Sequence, residues 1–176
     1  MRVKNGRRFG IARDLAVFAM LGTILFCGDL LMEWAPNIHF VGALVMTYTL
    51  VYRSRALIPI YVYIFLNGVY AGFHTWWVPY LYIWVILWGI TMLLPQKMPK
   101  CVAVPVYMTV CALYGLSFGI LYAPFEAFIR GYDLQKMLAW IAVGFPFDVF
   151  HALGNMAAGI LILPLATLLR RLEQSR

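Results

Sequence analysis

The chain has 176 residues, 64% of them hydrophobic and only 12% charged, with a formal net charge of +7. An ordinary soluble domain carries roughly 25% charged residues, so this composition excludes a water-soluble enzyme and indicates an integral membrane protein. A helical span needs about 20 apolar residues, which allows about six spans in a single domain over residues 1–176 and leaves no room for a separate soluble domain.

The positive charge does not point to nucleic acid, because the basic residues flank apolar runs, where lysine and arginine set membrane orientation. Cys27, Cys101 and Cys111 lie within or beside apolar runs without a CxxC pair and read as small packing residues. The arginine-rich start resembles the front of a signal peptide. No small-x-small cleavage site separates it from Asp29 and Glu33, however, so a retained first span is expected.

In chain order, the first span is expected over about 11–34, ending before Pro36, with Ala12, Ala16 and Ala19 on one stripe that would let another helix approach closely. The second and third spans cover about 38–52 and 56–75, with Pro59 in a first turn where its missing amide is tolerated. The fourth covers about 79–94, opened by the aromatic run WWVPYLYIW, and the fifth about 102–127. Residues 136–169 are too long for one upright span of roughly 20 residues. Pro146 is therefore expected to start the last span, 146–169, which leaves 134–143 as an interfacial helix or loop and puts Asp148 in a first turn.

Orientation follows from counting. If both termini and the 2–3 and 4–5 loops share one side, that side holds Arg2, Lys4, Arg7, Arg8, Arg13, Arg53, Arg55, Lys97, Lys100, Arg170, Arg171 and Arg176. Only Arg130 and Lys136 fall opposite, so the positive-inside rule predicts an all-α bundle of six spans with both termini in the cytoplasm.

The polar groups within or beside the spans then fall on the outer half: Asp29, Glu33, Asn37, His39, His74, Trp77, Tyr122, Glu126 and Asp148. In the run GFPFDVFHALGN, Asp148, His151 and Asn155 lie within about 60° of one another on a helix. Ionisable groups at membrane depth point to a functional site, and carboxylates beside Trp76, Trp77, Tyr80, Trp84 and Tyr122 suit a flat, partly cationic heterocycle. Plainer readings stand beside this one. Asp148 could simply favour a helix start, His151 and Asn155 could glue helices, Asp29 and Glu33 could be solvated, and the aromatics could form an interfacial belt. His39, His74 and His151 lack metal-ligand spacing, so no metal or other cofactor is expected. No catalytic or nucleotide-binding motif occurs, so an enzyme is not expected, and energised transport would need an ion gradient or a partner.

Six spans in under 200 residues, the Ala-x-x-x-Ala stripe at Ala12 and Ala16, and a last span carrying GFPFDVFHALGN and closed by Pro164 and Arg170–Arg171 resemble the substrate-binding S components of energy-coupling factor transporters. The resemblance implies a bacterial cytoplasmic-membrane subunit that captures a vitamin-like nutrient from outside. It implies docking through Ala12, Ala16 and Ala19 onto a transmembrane T component joined to two cytoplasmic ATPases. By position it assigns ligand contacts to Glu33 through His39, Tyr80, Trp84, Glu126, Asp148, His151 and Asn155. No substrate-defining motif of a vitamin-specific branch matches, and the amino-terminal metal-binding residues of the nickel and cobalt branch are absent. Among familiar substrates, a thiamine-like cation suits the aromatic-acidic mixture best. The rivals are a membrane scaffold subunit of the rod-shape-determining type and a stand-alone proton-coupled carrier.

Overall fold

The structure, a computed structural model, describes residues 3–34 and 40–175, with side chains from residue 12 onward. Among these residues eight α-helices follow one another: α1 (Val3–Leu31), α2 (Val41–Tyr52), α3 (Leu57–Ala71), α4 (Tyr80–Leu93), α5 (Lys100–Leu116), α6 (Phe118–Arg130), α7 (Leu134–Gly159) and α8 (Ile162–Gln174). Short 3₁₀ turns at Arg53–Ala56 and Thr75–Trp77 lead into α3 and α4. No strand occurs among the described residues.

Five stretches are long and apolar enough to cross a membrane: 12–31, 41–71, 75–93, 100–130 and 134–159. The second of these divides at Arg53, whose φ of 55° is a left-handed conformation that an α-helix of L-residues cannot continue through. Backbone reversal at this point lets α3 run parallel to α1. Asp14 pairs with Arg55 at one end, and the Tyr63 hydroxyl donates to Asp29 at the other. Among the described residues the bundle is thus built from α1, α2, α3, α4, the α5–α6 pair and the α7–α8 pair.

The structure corrects two expected spans. The fifth, placed over 102–127 as one helix, is two helices that meet at Ser117, with α6 extending to Arg130 and closed by Gly131 in the left-handed conformation. The last does not begin at Pro146, and 134–143 is not a separate interfacial segment, because α7 is one helix from Leu134 to Gly159 with Pro146 inside it. Its true start is fixed by Asp133, whose side chain accepts from the Lys136 amide at 2.8 Å and caps the first turn. Pro146 forfeits one backbone bond on an exposed stretch of α7, and the helix runs on through it. The excess length is relieved later, in the turn at Ile160–Leu161 that separates α7 from amphipathic α8. The second span also starts at Val41, and the third ends at Ala71, before Gly72 with φ of 89°.

Glycines set how closely these helices approach. A Cβ on Gly22 would lie 2.6 Å from Val62 and 2.8 Å from the Pro59 carbonyl, so α1 and α3 pack backbone to backbone. On Gly159 it would lie 2.7 Å from Met108 Cα, and on Gly115 it would lie 2.9 Å from the His151 carbonyl and 3.0 Å from Ala152 Cα. These contacts make α5–α7 the most extensive helix pair. The outer surface is apolar in turn. Phe147, Phe150 and Leu153 are exposed on α7, while Asp148, His151 and Asn155 are buried, the reverse of a soluble helix.

Gly115→Ala should lower stability by about 1–3 kcal/mol through overpacking. Gly89, inside α4 with nothing near its Cβ position, is the control: Gly89→Ala should leave stability unchanged or raise it by up to about 1 kcal/mol. Reversible denaturation of the detergent-solubilised protein measures both.

Candidate functional site

The two ends of the bundle differ in chemistry. Asp14, Arg55, Arg53, Tyr52, Arg170 and Glu173 meet at the end where α2 stops: Arg53 donates to the Met92 carbonyl at 2.8 Å, Arg170 to the Leu50 carbonyl at 3.1 Å, and Tyr52 to Glu173 at 3.1 Å. The other end is aromatic. Tyr63, Tyr80 and Trp84 form a chain of edge-to-face contacts with centroids 5.8–6.1 Å apart, extended by Tyr114, Phe118 and Tyr122. Trp140 of α7 stacks on Tyr122 at 6.1 Å, and the Tyr122 hydroxyl donates to the Trp76 carbonyl at 2.8 Å.

Within this layer Asp29 of α1 accepts from the Tyr63 hydroxyl at 2.8 Å and lies within electrostatic reach of Tyr80. Asp29, Tyr80 and Tyr122 are half-buried, whereas Tyr63, Trp84, Tyr114 and His151 are buried. A carboxylate next to an aromatic cluster combines charge and quadrupole attraction for a cation. Asp29 is legible in the sequence as a carboxylate inside the first apolar run. Its tyrosine partner is not, because nothing in the sequence pairs position 29 with position 63.

The polar face of α7 enters the same region. Asp148 Oδ1 accepts from the Gly119 amide at 3.1 Å. Gly119 stands in the first turn of α6, where amides have no intrahelical acceptor, so Asp148 caps the helix created by the break at Ser117. The His151 ring packs edge-on against Phe118, centroids 4.9 Å apart. Asn155 lies deeper, between α2 and α5, its Oδ1 3.0 Å from the Cβ position of Gly42 and its Nδ2 2.7 Å from that of Gly115. Both its amide atoms are buried without a hydrogen-bond partner among the described residues. Asp148 thus does bond to a neighbouring helix, whereas Asn155 forms no such bond there.

The remaining expected site residues fall outside this group. Trp77 donates to the Ile64 carbonyl at 2.7 Å, which ties the turn before α4 to α3. His74 is exposed beside Gly72, Glu33 is exposed just after α1, and Glu126 pairs with Arg130 on its own helix. Asn37 and His39 lie outside the described residues. No group of three or more His, Cys, Asp or Glu able to hold a metal occurs among the described residues. Ala12, Ala16 and Ala19 are all exposed, so the small-residue stripe of α1 faces away from the bundle.

No protein-family model matches the chain, no curated protein is significantly similar to it, and no solved structure matches it significantly.

Asp148→Ala should strand the buried Gly119 amide and destabilise the protein by about 1–3 kcal/mol, while Asp148→Asn, which keeps an acceptor oxygen, should lose less than half as much. Thermal unfolding of the two variants in one detergent compares them directly.

Proposed function

We propose that this chain is the membrane-embedded capture subunit of an energy-coupling-factor-type importer, binding a small, flat, cationic nutrient of thiamine-like character at its aromatic end. The observation that carries this reading is the carboxylate of Asp29, half-buried and bonded to Tyr63, whose ring packs on Trp84 and through it on Tyr80, at the end opposite the basic loops. The reading also places the protein in a bacterial cytoplasmic membrane with both termini inside, since the positive-inside count puts the aromatic end outside. The chain would bind its ligand without chemical conversion, and a T component with two cytoplasmic ATPases would supply the energy.

Two further features support it. The exposed face of Ala12, Ala16 and Ala19 is a surface on which a partner helix could approach within backbone contact. The unpaired amide of Asn155 is costly for a residue whose only task is packing. The rival scaffold reading draws on Asp148, whose bond to Gly119 serves the fold itself.

Titration of the purified protein with a vitamin panel tests the proposal. At least one ring-containing cation should bind, and Asp29→Asn and Trp84→Ala should each weaken it by about tenfold or more, a loss of about 1.4 kcal/mol or more, with unfolding temperature little changed for Asp29→Asn. Ala16→Leu should abolish co-purification with a T component and leave ligand affinity intact. If no panel member binds and Ala16→Leu alters no association, the capture reading fails and the scaffold reading gains.

A further inference from the structure

At the basic end, a cleft of about 370 Å³ opens between the turn after α4, the first two turns of α5 and the α8 helix. Lys97 and Arg170 stand at its rim, Tyr107 and Ala103 line its base, and Met98 and Leu163 form apolar walls. None of the residues lining it is acidic. Arg170 is anchored by one donor to the Leu50 carbonyl at 3.1 Å, and the planar guanidinium has further N–H groups to offer an oxyanion. Tyr107 lies within electrostatic reach of Arg170 and adds a hydroxyl. Three and seven residues before Leu163, on the far side of the turn at Ile160–Leu161, Ile160 and Met156 are exposed apolar side chains that would offer acyl chains a track away from the basic end.

A headgroup phosphate at the rim and acyl chains along such a track describe one kind of molecule. We infer that the cleft between α5 and α8 holds the headgroup of an anionic phospholipid, with its phosphate between Lys97 and Arg170. The charge is complementary, and the level fits a headgroup, because Lys97 lies in the turn between apolar α4 and α5 and Arg170 on amphipathic α8, which packs on the same end of the bundle. The occupant is a lipid and not a soluble phosphate, because half of the cleft is apolar wall that a small hydrated anion would leave uncovered. A lipid there would bridge the 4–5 turn to α8 and brace the carboxyl-terminal helix against α5. This inference requires insertion in a bilayer but is independent of the nutrient-capture reading.

Native mass spectrometry of the full chain from nanodiscs of equimolar phosphatidylglycerol and phosphatidylcholine tests it. Phosphatidylglycerol should be retained about fivefold or more over phosphatidylcholine, and Lys97→Gln with Arg170→Gln should abolish the preference, while Lys136→Gln at the opposite end should preserve it. Lys97→Glu alone, at an exposed position, should also abolish it and covers the case in which loss of the Arg170 anchor impairs folding. Equal retention of the two lipids, or a preference unchanged in Lys97→Glu, overturns the inference. Displacement of the lipid by millimolar glycerol phosphate overturns it too, by showing a soluble anion to be the occupant.

Discussion

The polar face of α7 can lie inside this bundle because the helices opposite it lack side chains where it arrives. Gly119 leaves room for the Asp148 carboxylate, and Gly42 and Gly115 leave room for the Asn155 amide. A methyl group on Gly119 would meet the Asp148 carboxylate and one on Gly115 the Asn155 amide and the His151 carbonyl, so these polar groups could not keep their present places. The break at Ser117 belongs to the same arrangement. By ending α5 and starting α6 it exposes an amide, and Asp148 is placed to accept from it. The helix break and the buried acid thus satisfy each other, and each alone would be a defect.

This interlock fixes the outer wall on which the aromatic layer rests. Phe118, the first residue of α6, touches Trp84, Tyr114, Tyr122 and His151. The layer continues through Trp84 to Tyr63 and ends on Asp29 of α1. Rings in edge-to-face contact resist displacement more than aliphatic side chains, since each pair adds about 0.5–1.5 kcal/mol beyond its buried area. A carboxylate at the end of such a layer is held in a fixed frame, and preorganisation of that kind strengthens ligand binding without requiring additional contacts.

The sequence made the helical class, the apolar runs and the asymmetry of charge legible, because hydropathy and lysine–arginine placement report directly on contact with lipid and water. The shared face of Asp148, His151 and Asn155 was legible from helical period alone, and all three are buried together. The start of α7 was not read correctly. Gly144 and Pro146 are strong local breakers, yet α7 runs through both on a stretch where Ala142, Val143, Phe145 and Pro146 are exposed, and the helix starts instead at the Asp133 cap. The division at Ser117 is marked only by Gly115 and Gly119 on either side of it, weak breakers within an apolar run, so the fifth span read as one helix. The Asp29–Tyr63 pair joins residues 34 apart on different helices. A single sequence holds no local signal for such a pair; it emerges from the parallel packing of α1 on α3, set by Gly22 against Val62.

That packing gives α1 a particular place in the proposed function. As one unbroken helix of 29 residues, about 44 Å long at 1.5 Å per residue, it carries Asp29 at the aromatic end and Ala12, Ala16 and Ala19 toward the basic end. The two sets lie on different faces. Phe18, Leu21 and Leu25 turn into the core on the side of Asp29, while the alanines face outward. A rigid rod that touches ligand at one end and a partner along its other face couples the two only through its position, because no hinge within it can absorb a shift. Ligand held by Asp29 and Tyr63 would bias how α1 sits against α3, and a partner on the alanine face would sense that same bias. By linkage the partner would alter ligand affinity to the same degree, so under the proposed function capture and docking on this helix would be two readings of one equilibrium.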